Sequence, residues 1–220
     1  MNKNVIITIS RQYGSGGKLI GERLARSLGI PCYDKVFLED IAKKLGVSGA
    51  FFRDENRGEN GLYEVGSHSV LSAVTSLTVN NEVYENAAAL IREIAAKESA
   101  VIVGRCGDYV LRDHPNVLSL FVYAKKSDRL QRGIEMYHLD PKDAEETLLR
   151  YDRKRANFYE FYTDRKWGSV TNYSMMINTS CMGIDQCVRY LHAVVMEMQK
   201  EAAAGQQNFT RFYDNFRDGQ

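Results

Sequence analysis

The sequence predicts an α/β fold in which a parallel sheet is covered by helices on both faces. Three observations carry this reading. Short apolar runs at residues 5–9, Ala100–Val103 and Val117–Tyr123 are rich in β-branched side chains, as strands buried on both sides should be. Stretches with apolar residues at helical spacing separate these runs, and the alternation continues through most of the 220 residues. Finally, the first run is followed at once by Gly14, Ser15, Gly16 and Gly17, a turn of small residues at the mouth of a helix.

Taken in order, Leu19, Ile20, Leu24, Ala25 and Leu28 recur on one helical face up to Gly29, which suits a C-cap, and residues 30–33 re-enter the sheet. The first 33 residues therefore read strand, helix, strand. Asp34 suits the cap of a second helix whose face is Phe37, Leu38, Ile41 and Leu45. Residues 53–66 hold three glycines and many charges and read as a loop. Val83, Ala87, Leu90, Ile91 and Ile94 mark a long helix into the strand Ala100–Val103, which ends in GRCGD at residues 104–108. After Val117–Tyr123 a charged helical stretch is expected from Ser127 to about Lys166, then a short strand at 175–177 and a last helix over roughly 184–200.

Composition sets bounds without naming a function. A hydrophobic fraction of 44% and a charged fraction of 26% are those of a globular protein, and the length suits one domain of roughly 100 to 200 residues. Twenty-nine basic against twenty-eight acidic side chains supply no global field for nucleic acid or an anionic membrane, so any anion site is local. Cys32, Cys106, Cys181 and Cys187 lack metal or redox spacing and read as reduced thiols. With no secretory signal and no apolar run of about 20 residues, the expectation is a cytoplasmic protein.

The chemistry lies in SRQYGSGGK at residues 10–18. Glycines let backbone N–H groups approach an anion closely, and a helix N-terminus adds positive potential. Gly14, Ser15, Gly16, Gly17 and Lys18 are thus the candidate binders of a nucleotide's phosphates, with the Lys18 ammonium following charge as it moves during phosphoryl transfer. Two departures from GxxxxGK[ST] stand out: Gln12 where the first glycine belongs and Leu19 where a magnesium-binding hydroxyl belongs. Counted from the strand end instead, Arg11 takes the first glycine's place and Lys18 comes one residue late. A dinucleotide fingerprint competes, since Gly14 and Gly16 match its first glycines and Asp34 its ribose acid, but Leu19 replaces its third glycine.

Arg105 and Asp108 follow a strand's carboxyl end, where ligands of open α/β sheets bind, and could read a phosphate or a base edge; the same spacing suits a local ion pair. The stretch 148–166 carries Arg150, Arg153, Lys154, Arg155, Arg165 and Lys166, either a solvated face or arginines that a closing element brings to the transferred phosphoryl group. The four histidines show no metal spacing.

The motifs ITISRQYGSGGK (7–18), CYDK (32–35), VIVGRCGDYVL (101–111), YDRKRANFY (151–159) and MINTS (176–180) resemble those of the cytidylate kinase-like family of P-loop nucleoside monophosphate kinases. The resemblance implies a three-layer P-loop NTPase fold with a five-stranded parallel sheet. It implies one kinase domain over 1–204, with an acceptor-binding insert at about 46–97 and a lid at about 140–168; residues 205–220, polar with Phe209, Phe212, Tyr213 and Phe216 interspersed, read from their composition as a tail. It further implies transfer of a phosphoryl group from ATP, with Mg²⁺, to a pyrimidine monophosphate such as CMP or dCMP. Carried over residue by residue, Gly14 to Lys18 would hold the donor phosphates, Asp34 would border the acceptor pocket, Arg105 and Asp108 would contact the acceptor, and Arg153 and Arg165 would serve the lid. Cytidylate kinases proper have Asp-Gly where Ser10 and Arg11 stand and Asp where Cys106 stands. A kinase for a non-nucleotide metabolite, or an ATP-binding sensor without turnover, is therefore the alternative.

Overall fold

The structure, a computed structural model, describes residues 4–34 and 70–204. The expected helix after Asp34, the glycine-bearing loop at 53–66 and the tail at 205–220 lie outside the described residues, as does the first part of the 46–97 insert.

Five strands form one parallel sheet in the order β2-β3-β1-β4-β5: β1 (Ile6–Arg11), β2 (Cys32–Tyr33), β3 (Ala100–Val103), β4 (Val117–Tyr123) and β5 (Met175–Asn178). β1 is central, pairing Ile6 to Ile9 with Ala100 to Val103 on one side and Ile6 to Arg11 with Val117 to Val122 on the other. Since successive side chains alternate, Ile7 and Ile9 face one way and Ile6 the other. Ile7 and Ile9 pack against α1 (Gly17–Leu28), through Ile20, Leu24 and Ala25, and against α7 (Ile184–Ala203), through Leu191, Val195 and Met198. Ile6 and Ile102 pack on the opposite face against α2 (Val70–Lys97), through Ala88, Ile91 and Ile94, and against Val110 of the short α3 (Gly107–Val110). Burial of both faces explains why the strands read as continuous apolar runs. It also brings the carboxyl ends of β1 and β3 side by side.

One expectation is corrected. The charged stretch 127–166 is two helices, α4 (Lys126–Tyr137) and α5 (Ala144–Thr163). His138 ends α4 in a left-handed conformation, φ 55°. The Leu139 N–H then closes on the Gly133 carbonyl at 3.2 Å, a helix stop, and Pro141 follows. The tetrapeptide Thr179–Met182 forms α6.

Candidate active site

The glycine turn spans the gap between β1 and α1, with Gly16 as N-cap and Gly17 as the first helical residue. Its shape is imposed from outside. Arg129 on α4 donates through Nε to the Tyr13 carbonyl at 2.8 Å, Arg132 donates to the Gly14 carbonyl, and the Thr179 hydroxyl donates to the Ser15 carbonyl at 2.8 Å. Asp152 on α5 accepts the Tyr13 N–H at 2.7 Å and pairs with Arg129. The Tyr13 ring stacks on Tyr151 at 4.6 Å and meets Tyr137 edge-on at 5.5 Å, so both helices grip the turn. Its carbonyls are turned outward to these partners, and the Ser15 N–H closes on the Gln12 carbonyl at 3.3 Å.

Lys18 occupies the second helical position. Its ammonium lies 2.8 Å from Asp34 at the end of β2 and 3.7 Å from Glu22, and the Asp34 hydrogen bond raises its pKa above the ordinary lysine value. Lys18 and Asp34, assigned from sequence to donor and acceptor sides, are thus direct partners.

Beyond β3 the chain makes three successive left-handed residues, Gly104, Arg105 and Cys106, at φ 87°, 57° and 53°. Two of these are not glycine, at a cost of about 1 to 3 kcal/mol each, a strain that clusters at functional sites. The turn sets Arg105 in a cleft with Ser10 and Arg11 from β1 and Arg155, Tyr159 and Trp167 from the α5 side. The Arg155 guanidinium donates to the Arg11 carbonyl at 3.1 Å. Burial in the same turn pushes the Cys106 thiol up, so it stays protonated.

Arg105 and Asp108 have separate settings. The Asp108 carboxyl is turned inward, 8% exposed, where it accepts the Tyr159 hydroxyl at 2.7 Å and the Ser10 hydroxyl at 3.5 Å. Burial pushes its pKa up from 3.8 to about 6, against the pull of the Tyr159 hydrogen bond and the nearby Arg165. Arg165 lies over the Tyr109 ring at 5.2 Å, whereas Arg153 is exposed on α5. Of that basic stretch, Lys154 and Arg155 line the cleft.

The raised Asp108 value has a testable sign. The folded chain binds this proton more tightly than the unfolded chain, so the contribution to stability is complete below pH 3.8 and is lost as pH rises through about 6. Asp108→Asn keeps an acceptor for Tyr159 without the titration. Between pH 4.5 and pH 8 the variant should gain on the order of 2 kcal/mol relative to the parent. Thermal midpoints of both proteins at the two pH values measure this, and a constant difference would refute it.

A Mg²⁺ ion carried by a nucleotide needs only one or two protein oxygens beside phosphates and water, and the described residues offer it no ready carboxylate. They contain no cluster of three His, Cys, Asp or Glu side chains, Asp34 is engaged by Lys18, and Asp108 is buried against two hydroxyls. The Ser15 hydroxyl donates its proton to the Gln12 carbonyl at 2.8 Å, which leaves its lone pairs as an oxygen ligand for a cation.

Sequence reasoning passed over Arg129, Arg132 and Tyr159, and met Arg11 only as the residue standing in a glycine's place. The i, i+3 spacing of Arg129 and Arg132 on α4 was the available signal; Tyr159 had none.

A parallel sheet in this order, opened by a glycine turn into the N-terminus of α1, defines a P-loop kinase fold. The chain belongs to the cytidylate kinase-like family, which it matches over residues 6–181. It is similar to an uncharacterized protein from Eubacterium ventriosum ATCC 27560 of known crystal structure, at 26% identity and a TM-score of 0.68 over 87% of this chain and 98% of that one. A shikimate kinase from Bacteroides thetaiotaomicron aligns at 16% identity and a TM-score of 0.49 over 87% of this chain and 98% of its own. No curated protein sequence is similar enough to count as a relative. No helix among the described residues is long and apolar enough to cross a membrane.

Proposed function

We propose that this kinase-family chain transfers the γ-phosphoryl group of ATP to a nucleoside monophosphate, CMP or dCMP before others. The observation that carries the reading is the cleft at the carboxyl ends of β1 and β3. Arg11, Arg105, Lys154 and Arg155 line it, Arg155 lying 3.9 Å from Asp152 as well, and Phe158, Tyr159 and Trp167 stand beside them. Clustered cations in a cleft focus a field that draws in phosphates, and aromatic faces suit a base.

In this reading Gly14, Gly16 and Gly17 present amides to the donor phosphates at the start of α1, and Ser15 closes the turn that carries them through its bonds to Gln12. Lys18 and Asp34 border the donor and acceptor sides as a pair. Arg105 meets the acceptor phosphate, and Asp108 sets the position of Tyr159 and Ser10 at the cleft wall. Arg165, with Arg153 on the outer face of α5, belongs to the lid. The bond between the γ-phosphorus and its bridging oxygen breaks, ADP keeps the electron pair, and an acceptor phosphate oxygen forms the new bond. With a second pKa of about 6 that acceptor is already anionic at neutral pH, so no general base is required.

The test is ADP release from ATP and Mg²⁺ with CMP, dCMP, UMP, AMP, GMP or no acceptor. Stimulation by CMP or dCMP above the others is the expected result. ATP binding with release stimulated by none of them would move the assignment to a non-nucleotide acceptor or a sensor, the alternative that Ser10, Arg11 and Cys106 leave open.

A further inference from the structure

The lysine of the glycine turn is drawn to Asp34, while another cation occupies the space between the turn and β3. Arg11 is the last residue of β1, and its stem runs against Gly17. A Cβ added at Gly17 would lie 2.6 Å from the Arg11 Cβ and 3.1 Å from its Cγ. The guanidinium ends against Gly104, where an added Cβ would lie 2.3 Å from Nη1. Gly104 has φ 87°, so this position admits glycine both for its backbone and for the room it leaves the arginine. The side chain thus runs from the first residue of α1, where donor phosphates would sit, to the turn that carries Arg105. Arg155 fixes the Arg11 carbonyl at 3.1 Å, which ties this strand end to α5.

We propose that Arg11 is the cation that binds the transferred γ-phosphoryl group, in place of the glycine turn's own lysine. The proposal rests on the phosphotransfer reading above and gives Arg11, there one of the cleft's cations, a specific role toward the donor. A guanidinium fork is suited to two oxygens of one phosphoryl group, and from its place between Gly17 and Gly104 it can hold that group on either side of transfer.

The test is calorimetric titration of the full chain with ADP and with an ATP analogue whose β–γ bridge resists hydrolysis. Arg11→Gln should weaken analogue binding about 10- to 100-fold, the range for hydrogen bonds to a charged group, and leave ADP binding within about threefold. Lys18→Gln should weaken analogue binding less than Arg11→Gln does, as suits a half-exposed ion pair. Arg11→Lys keeps the charge without the fork and should fall between parent and Arg11→Gln, which decides the matter if the glutamine variant does not fold. Equal affinity for the analogue in Arg11→Gln and parent, an equal loss for both nucleotides, or a larger γ-phosphate loss in Lys18→Gln would each overturn the proposal. If parent binding depends on Arg11 as expected but no acceptor stimulates ADP release, the assignment of Arg11 stands and the transfer reading fails. A parent chain that does not bind the analogue ends both.

Discussion

Replacing Asp152 with alanine is expected to destabilise the fold by about 3 to 5 kcal/mol, the usual effect of removing one partner from a buried ion pair. The side chains of Arg129 and Asp152 are only 8% and 14% exposed. The two carboxylate oxygens serve different donors, the Tyr13 N–H at 2.7 Å and the Arg129 guanidinium. Alanine leaves the Tyr13 amide and the Arg129 Nη2 without this acceptor in surroundings that water reaches poorly, Arg129 keeping only its Nε bond to the Tyr13 carbonyl, so the penalty is that of an unpaired charge and an orphaned amide together. The pair need not stabilise the chain over an apolar substitute for this to hold; the asymmetry lies in breaking it. Calorimetry should show the thermal midpoint falling by on the order of 10 °C. Asp152→Asn, which keeps one acceptor oxygen, should recover part of the loss. A fall of less than about 3 °C for alanine would mean that Arg129 finds water or another acceptor.

Gly14→Ala should instead remove activity and spare most of the stability. Gly14 has φ 71°, and its added Cβ would lie 2.6 Å from the Arg129 carbonyl oxygen and 3.1 Å from the carbonyl carbon. These are backbone atoms of α4 and have no rotamer to change, so the turn itself must move. A displacement of about 1 Å at a positioning element costs roughly 100-fold in rate, and the left-handed alanine adds about 1 to 2 kcal/mol of strain. Gly29→Ala is the matched control: φ is 67°, but nothing lies within 4 Å of the new methyl. It should show the strain without the loss of kcat/KM for ADP release. Equal kcat/KM in Gly14→Ala and the parent would show that the turn does not position the donor.

Much of the fold was legible because burial on both faces of a parallel sheet writes a local signal. Ala100–Val103 and Val117–Tyr123 are the strands read from the apolar runs, and the passage from β1 through the glycines into α1 was equally plain. The break between α4 and α5 was misread although Pro141 marked it, because charged helical residues continue on both sides. The cleft was legible only in outline. That Lys18 would meet Asp34, or that Asp108 would turn toward Tyr159, depends on how β1, β2, α3 and α5 come together in space. No periodicity records such an encounter. Arg11 was hidden in another way, since at the end of a strand it matches no phosphate-binding pattern, and its setting is evident only from the empty space at Gly17 and Gly104.

The contacts that shape the glycine turn reach far along the chain. Tyr13 is bonded to residues 116 and 139 positions away, Gly14 to one 118 away, and Ser15 to one 164 away. A nascent chain that has exposed only its first hundred residues therefore carries the sequence of a phosphate loop without its geometry. Contacts of such separation form late, after the entropy of closing long loops has been met. The shape of the turn is accordingly a property of the chain through Thr179, and SRQYGSGGK moved to another scaffold would not take that shape with it.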